Sequence, residues 1–339
     1  MTDTAAAAPA PPRVRWGIIA PGSIAHRQVA DMRRHGLRVD AVASRDLARA
    51  RAFAAEFAIP RAYGDYEHLC ADPEIDAVYI ASPHPFHAEQ ALQAIAHGKH
   101  VLVEKAFAMN AAQARAVFDA ADARGVVALE AMWVRYLPYL TVVQNWLAEG
   151  HIGRVRAMSA DRSTVLSADP THRVRAMELG GGALLDIGVY PISFVQAVLG
   201  APVAIVARGR LTEQRVDAAA AAVLEYADGA LATVTTSLDT VGTNAVTIVG
   251  ERGRIEVLPN AYQWPFDVRL VDAEGTQLGA FTASHEGRGM HFQALELEAL
   301  VAAGRTRSEV LSPDDTVEVL RIIDEIRRQI GVRYPADEA

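Results

Sequence analysis

The chain has 339 residues, 51% of them apolar and 22% charged, and its 33 Lys and Arg against 41 Asp and Glu give a formal net charge of −8. This length predicts about two domains. The apolar content argues against a disordered chain, and the acidic balance argues against a nucleic-acid partner. The single cysteine, Cys70, excludes a disulfide framework and a thiolate metal cluster.

The first thirteen residues, MTDTAAAAPAPPR, have neither the basic start nor the long apolar run of a secretory signal peptide. No other stretch approaches the run of about 18 apolar residues that a membrane-spanning helix needs. We therefore predict a flexible tail over residues 1–13 and a cytoplasmic protein without a membrane partner.

Short apolar runs alternate with amphipathic stretches in the first half of the chain. The runs predict strands over Trp16–Ala20, Val39–Ala43, Ala77–Ala81, Val101–Glu104 and Val126–Trp133. The stretches between them predict helices over Ile24–Arg34, Leu47–Phe57, Phe86–His97 and Ala111–Arg124. This alternation predicts a doubly wound parallel sheet, a Rossmann domain over residues 14–135.

Apolar and polar residues alternate one by one after Glu149, and Asp-Gly, Arg-Gly and Glu-Gly pairs at residues 228–229, 252–253 and 274–275 predict hairpin turns. We predict an α+β second domain over residues 136–339, with a large, mostly antiparallel, open-faced sheet. A closing helix over Thr316–Gln329 is expected, and it could pack back on the first domain. Helices or another subunit must cover the second face of the sheet, so we expect a homodimer or homotetramer through it.

The first strand runs into the turn Ala20-Pro21-Gly22-Ser23-Ile24-Ala25 and then a helix. The dinucleotide fingerprint at such a crossover is G-x-G-x-x-G/A, in which backbone N–H groups at the helix N-terminus face a pyrophosphate. Gly22 and Ala25 keep their places, whereas Ala20 replaces the first glycine. The context favours a nucleotide over an ordinary tight turn.

The second strand ends at Ser44-Arg45, where an NAD-preferring site has an Asp or Glu for the ribose 2′-hydroxyl. A hydroxyl and a guanidinium, with Arg49 one helical turn further on, suit a 2′-phosphate. We therefore predict NADP as the cofactor, while the neighbouring Asp46 leaves NAD open.

Two pairs of residues indicate the catalytic chemistry. Glu104 and Lys105 stand at the end of a buried strand, where charges form a salt bridge or take part in function. Asp186 and Tyr190, after the run Gly180-Gly181-Gly182, share one face if the segment is helical, although Pro191 predicts a kink.

Several motifs together resemble the Gfo/Idh/MocA oxidoreductases, in the branch of dimeric dihydrodiol dehydrogenase and NADP-dependent D-xylose dehydrogenase. They are APGSIA, SPHPFH (82–87), VLVEKAF (101–107), EAMWVRYLP (130–138), GGGALLDIGVYP (180–191) and LRIIDEIRRQIGVRYP (320–335). The match covers nearly the whole chain. Ala106 stands where the family's EKP motif has proline, which leaves open whether the Lys105–Ala106 bond is cis.

The resemblance implies roles for individual residues. By it, Lys105 contacts substrate and nicotinamide ribose, Tyr190 is the general acid/base and Asp186 positions the substrate. The implied cofactor contacts are Pro21, Gly22, Ser23 and Ile24 at the pyrophosphate, Ser44 and Arg45 at the 2′-phosphate, Ser82, His84, His87, Glu104 and Lys105 beside the cofactor, and Trp133 and Arg135 near the nicotinamide.

These residue types predict hydride transfer without a metal. A phenol is a poor base at neutral pH, but a cation such as Lys105 within ~4–6 Å would lower its pKa. We expect an NADP(H)-dependent oxidoreductase that acts on a sugar, such as the aldoses xylose or glucose, or on a cyclic diol. Two alternatives stay open: a redox-neutral aldose–aldose oxidoreductase with tightly bound NADP(H), and a non-catalytic NADP-binding sensor.

Overall fold

The computed structural model describes residues 14–259, 261–262, 266–283 and 286–337, so the predicted tail over residues 1–13 lies outside the described part. The first part of the chain alternates strands and helices. Its strands are β1 (Arg15–Ile19), β2 (Arg38–Ala43), β3 (Arg61–Tyr63), β4 (Ala77–Ile80), β5 (His100–Glu104) and β6 (Ala128–Ala131). Its helices are α1 (Ser23–Arg34), α2 (Leu47–Glu56), α3 (Tyr66–Ala71), α4 (His87–Ala96) and α5 (Ala111–Arg124).

The first sheet is parallel throughout, with the strand order β3-β2-β1-β4-β5-β6. This is the order of a dinucleotide-binding doubly wound sheet, and it confirms the predicted fold class. Every residue of β4 is buried, as expected for a strand that helices cover on both faces. The short elements β3 and α3 were not predicted, because three and six residues are too few to show a period.

The second part of the chain builds a larger sheet. Its strands are β7 (Val155–Ser163), β8 (Ala204–Leu211), β9 (Asp217–Glu225), β10 (Leu231–Ser237), β11 (Val246–Gly250), β12 (Gly253–Val257), β13 (Asp267–Asp272) and β14 (Gln277–Thr282). Its helices are α6 (Pro138–Ala148), α7 (Val189–Leu199), α8 (His291–Ala302) and α9 (Pro313–Ile330).

The eight strands lie in the order β14-β13-β12-β11-β7-β10-β9-β8, and all neighbours are antiparallel except β7 and β10. This confirms the predicted mostly antiparallel sheet. Helix α7 packs on β7 and β10, and α9 packs on β8, so both cover the same sheet. Along β9 and β10, buried and exposed residues alternate, which leaves one face open.

The C-terminal helices also reach the first sheet's layers. Helix α9 packs against α5, and the amide of Ala111 donates a 2.9 Å hydrogen bond to Asp324. Helix α8 packs against α1, and the indole of Trp16 donates to Glu298 at 2.9 Å. Helices α6 and α8 were not predicted from the sequence.

One described helical stretch, Met177–Leu199, has the length and the mean hydropathy, 1.5, that crossing a membrane would require. However, 78% of its most apolar window is buried inside the fold. This is the environment of a core helix, and α7 accordingly packs on the second sheet.

Glu130 on β6 carries an unusual buried carboxyl group that links β6 to α9. The residue is 1% exposed, and its Oε2 accepts a 3.1 Å hydrogen bond from the hydroxyl of Thr316, while Oε1 has no partner among the described residues. Burial raises the pKa of Glu130 from its ordinary value to about 7. The folded state thus holds the proton more tightly than the unfolded chain does.

Glu130→Gln is therefore expected to become more stable relative to the native protein as the pH rises. The Glu130 carboxyl destabilises the fold progressively between pH ~4.5 and ~7, by on the order of 3 kcal/mol once it is ionised. Melting temperatures at pH 5 and pH 8 test this, and the variant should gain several degrees at pH 8 only. Thr316→Val keeps the Glu130 carboxyl and removes its hydrogen-bond donor, so its melting temperature should fall most at pH 8. An equal loss for Glu130→Gln at both pH values would contradict the assignment.

Candidate active site

A cleft of about 700 Å³ opens at the carboxyl edge of the first sheet, and residues from both halves of the chain line it. The ends of β1, β2, β4 and β5 contribute the floor, since the carboxyl ends of parallel strands meet at one edge. The second half contributes Arg162 from β7 and, from helical turns, Arg173, Asp186 and Tyr190.

The turn after β1 presents bare backbone to the cleft. Gly22 is the N-cap residue of α1 and offers no capping side chain, so a ligand can take the first amides of the helix. A Cβ on Gly22 would meet only the Ala20 carbonyl, at 3.9 Å, so no protein neighbour requires glycine here. Ala20 has φ +64°, the left-handed region that favours glycine. The backbone therefore adopts the fingerprint's conformation although the first glycine is absent.

The end of β2 places its polar groups in two different environments. Asp46 caps α2, because its Oδ1 accepts from the amides of Ala48 at 2.8 Å and Arg49 at 3.4 Å. Ser44 accepts a 3.2 Å hydrogen bond from the amide of Asp46. Arg45 and Arg49 both line the cleft, so this end of the cleft presents two guanidinium groups.

Lys105 and Asp186 meet across the two halves of the chain. The Lys105 ammonium donates a 2.6 Å hydrogen bond to the Asp186 carbonyl and lies 4.0 Å from its Oδ1, which also accepts from Arg173 at 2.9 Å. The Lys105–Ala106 peptide bond is cis. Burial alone would raise the pKa of Asp186, but the charges of Lys105 and Arg173 lower it to about 2. Burial would lower the pKa of Lys105, yet Tyr190 and Asp186 raise it.

Tyr190 lies beside this ion pair. Its ring centroid is 4.9 Å from the Lys105 ammonium, and its hydroxyl accepts a 3.2 Å hydrogen bond from the Trp133 indole. The segment is helical, as supposed, but the turn Leu184–Gly188 is π-helical and α7 begins at Val189. Pro191 thereby lies directly after the π-helical turn, in the first turn of α7.

Glu104 is hydrogen-bonded to Tyr79, a residue that was not predicted as part of the site. The hydroxyl of the fully buried Tyr79 donates to Glu104 Oε1 at 2.5 Å, and the Lys105 amide donates to Oε2 at 3.2 Å. Burial raises the pKa of Glu104. The segment Ala77–Ile80 showed only an apolar strand pattern, so nothing in the sequence marked the tyrosine.

The loop after β4 brings His84 and Ser82 to the cleft. His84 Nδ1 lies 3.1 Å from the Gly180 carbonyl oxygen, and burial, followed by the charge of His87, lowers the pKa of His84 to about 3. A neutral imidazole therefore lies between the two halves at neutral pH. The Ser82 hydroxyl donates to Gln90 at 2.7 Å.

Two of the selected residues do not line the cleft. The ring nitrogens of His87 lie 2.8 Å from the Ala106 carbonyl oxygen and 2.7 Å from that of Ser82, so this buried ring joins the ends of β4 and β5. Arg135 is buried outside the cleft lining, and its Nη1 donates to the Ser193 carbonyl at 3.1 Å and to Gln196 at 3.0 Å. Neither residue is among those that line the cleft, and their contact with the cofactor stays a prediction. The other selected residues all line the cleft: Pro21, Gly22, Ser23, Ile24, Ser44, Arg45, Ser82, His84, Glu104, Lys105, Trp133, Asp186 and Tyr190.

The cleft also contains residues that the sequence analysis missed, notably Arg27, Tyr66, Arg162, Tyr262 and Arg288. Arg162 stands at the end of β7, and a charge at a strand end was the one available signal. Tyr262 and Arg288 lie outside strands and helices, where no period assigns them.

Comparisons with known proteins agree with this architecture. A family model described as an oxidoreductase family with an NAD-binding Rossmann fold matches residues 14–131, and one described as a GFO/IDH/MocA C-terminal domain matches residues 140–256. The chain is 36% identical to the trans-1,2-dihydrobenzene-1,2-diol dehydrogenase of Danio rerio over 337 residues, which are 96% of this chain and 99% of that protein.

Solved structures show the same fold. A crystal structure of KijD10, a 3-ketoreductase from Actinomadura kijaniata in complex with NADP and TDP-benzene, is 28% identical, with a TM-score of 0.84 over 94% of this chain and 98% of that one. An aldose–aldose oxidoreductase from Caulobacter crescentus has a TM-score of 0.85 over 94% of this chain and 97% of that one, and at 23% identity this likeness shows the fold alone.

Proposed function

The chain belongs to the Gfo/Idh/MocA oxidoreductases, as an NAD(P)-binding dehydrogenase of the sugar and diol type, and we propose that it uses NADP(H) to interconvert a hydroxyl and a carbonyl group on a sugar or a cyclic diol. The observation that carries the proposal is the convergence of Lys105, Asp186 and Tyr190 in one cleft with a phosphate-binding turn. A sensor would need the turn but not this constellation.

The described residues fit a dinucleotide. The uncapped N-terminus of α1 would hold the pyrophosphate, and Gly22 leaves room for it because a Cβ there has no close neighbour. Lys105 and Trp133 would flank the nicotinamide end. When bound, NADP supplies the acceptor or donor of the hydride that leaves or joins the carbinol carbon.

Two features support NADP over NAD. One oxygen of the Asp46 carboxylate, Oδ1, is already engaged as the cap of α2, which leaves only Oδ2 for a ribose 2′-hydroxyl. Arg45 and Arg49 line the same end of the cleft and together provide two cations for a 2′-phosphate. The KijD10 crystal structure likewise contains NADP.

Tyr190 is the proposed general acid/base. In the oxidation, the C–H electron pair leaves as hydride, and the hydroxyl proton passes to the Tyr190 oxygen as the carbonyl forms. The ammonium of Lys105, 4.9 Å from the centre of the phenol ring, is close enough to balance the negative charge that the Tyr190 oxygen carries when it acts as the base. Asp186 stays ionised because its pKa is about 2, so its role is to orient substrate hydroxyls and not to exchange protons.

The direct test is a panel of aldoses, ketoses and cyclic diols assayed with NADP and with NAD at the nicotinamide absorbance band. The proposal requires substrate-dependent NADPH formation. Protein that binds NADP but turns over no member of the panel in either direction would be a sensor. Product formed only when two sugars are present, with NADP(H) retained by the protein, would identify the redox-neutral alternative.

Tyr190→Phe is expected to lower kcat by about 100-fold or more, because the substrate hydroxyl loses its proton acceptor. Its Kd for NADP should stay within ~3-fold of the native value, because the phenol oxygen is not a phosphate contact. Tyr226→Phe is the matched control. Tyr226 lies outside the cleft, and its buried hydroxyl has no hydrogen-bond partner among the described residues, so this variant should keep full activity. Equal losses of turnover and of NADP binding in Tyr190→Phe would refute the assignment.

Arg45→Asp is expected to lower the ratio of kcat/KM for NADP to that for NAD by about 10- to 100-fold, the size of a lost charge-assisted contact. Arg51→Asp makes the same charge change on α2 at an exposed position that does not line the cleft. If both variants leave the ratio unchanged, neither position meets the 2′-phosphate.

The open face of the second sheet supports a homodimer or homotetramer. Val206 lies directly opposite Val223, and Leu231 and Val249 both pair with Ala157, so the register puts these exposed apolar side chains on one face. Contiguous exposed apolar residues on a sheet are typical of a subunit interface.

Sedimentation at micromolar concentration is expected to show an oligomer for the native chain and a monomer for Val223→Arg, which places a charge at the centre of the apolar face. Leu92→Arg introduces the same residue on α4, away from the sheet, and should sediment like the native protein. A monomeric native chain would contradict the proposed interface.

A further inference from the structure

Most charges of the cleft are accounted for by partners within the protein or by the proposed cofactor. Lys105 and Arg173 neutralise Asp186, and Arg45 and Arg49 stand at the end assigned to the 2′-phosphate. Arg27 also lines the cleft and belongs to α1, the helix that would hold the pyrophosphate. Two guanidinium groups, those of Arg162 and Arg288, remain. Neither Arg162 nor Arg288 donates a side-chain hydrogen bond or forms an ion pair with any residue in the described part of the chain.

Arg162 is the more informative of the two because it is almost completely buried. It is 9% exposed, it lines the cleft, and its Nε is sealed from solvent without a hydrogen-bond partner among described residues. Its guanidinium carbon lies 5.9 Å from the centroid of the Tyr262 ring, which is a weak substitute for an anion. A buried cation without a counter-charge destabilises a protein, so this position favours a ligand that brings the anion.

The position of Arg162 separates it from the cofactor phosphates. It ends β7 of the second sheet, whereas the turn at Gly22 and the arginines of the 2′-phosphate end belong to β1, β2 and α2 of the first sheet. The Tyr262 ring next to Arg162 is 5.8 Å from the ring of Tyr190. The free guanidinium therefore lies on the substrate side, one aromatic ring away from the proposed acid/base.

Arg288 adds positive charge to the same side. This half-buried side chain interacts electrostatically with Arg162 and Tyr190 and also with Arg27 on α1; burial and then Arg27 lower its pKa. Arg288 lines the same cleft, so it adds to the positive potential that an anionic group at Arg162 would meet.

We propose that the substrate carries a carboxylate, bound by Arg162 while its reacting hydroxyl lies at Tyr190. The inference rests on the proposed function and deepens it: the substrates are sugar acids or cyclic diols with a carboxyl substituent. A carboxylate matches the planar fork of one guanidinium and brings one negative charge to it. A phosphate ester would bring a second negative charge, for which the half-buried Arg288 would have to be the partner.

The test compares matched pairs that differ in the carboxylate: D-glucose with D-glucuronate, and cyclohexane-1,2-diol with 3,4-dihydroxycyclohexanecarboxylate. For the native enzyme, kcat/KM should be about 10- to 100-fold higher for the acid of at least one pair. Arg162→Met should abolish this preference by lowering kcat/KM for the acid, mainly through KM, with little change for the neutral partner. Arg162→Lys should restore part of it. D-glucose 6-phosphate serves as the phosphate arm.

Controls keep the outcomes distinct. Arg156→Met alters the other end of β7, where the arginine pairs with Glu251, and should change nothing. NADP affinity, measured by fluorescence, should be unaffected by Arg162→Met, and a weakened affinity would assign Arg162 to the cofactor and overturn the inference. Equal turnover of acids and neutral partners, or a preference for the phosphate, would also overturn it while leaving the proposed function intact. No turnover of any compound would instead refute the proposed function.

Discussion

The contact between Lys105 and Asp186 is the constraint on which the cleft depends. It joins the end of β5 in the parallel sheet to the π-helical turn that precedes α7, so it crosses from one half of the chain to the other. Both side chains are nearly buried, and buried charges must be paired. Each residue therefore fixes the position of the other. The phenol of Tyr190 is positioned beside the pair by the hydrogen bond that its oxygen accepts from the Trp133 indole.

Around this contact the cleft is divided electrostatically. At one end the amides of α1 and the arginines after β2 are positive. In the centre the two cations Lys105 and Arg173 share the single carboxylate of Asp186, and at the far end Arg162 has no counter-charge among the described residues. A ligand that spans the cleft would have to match this sequence of charges. The division arises because each of the two sheets supplies the residues at one end of the cleft.

The sequence predicted the elements that have a strong period and missed those that do not. The alternation of β1, β2, β4, β5 and β6 with helices and the hairpins of the second half were correct, and Ala111–Arg124 matched α5 to the residue. Helix α8 was missed because its apolar residues are spread around the helix and do not form one stripe, so its sequence shows no clear amphipathic pattern. His87 and Arg135 were predicted beside the cofactor and do not line the cleft, because motif position does not reveal which way a side chain points. Arg162 was missed because no sequence motif marks it, and its burial in the cleft depends on tertiary packing.

The π-helical turn over Leu184–Gly188 makes the segment around Asp186 and Tyr190 sensitive to chain length rather than to composition. Each helical residue rotates the following side chains by about 100°. One residue added or lost between the aspartate and the tyrosine would swing the phenol to another side of the helix, away from the ammonium, although most core contacts could be rebuilt. Active relatives of this chain should therefore tolerate exchanges of apolar residues along this segment but not insertions or deletions. A constant number of residues between the aspartate and the tyrosine is thus a stricter marker of an intact site than either residue alone.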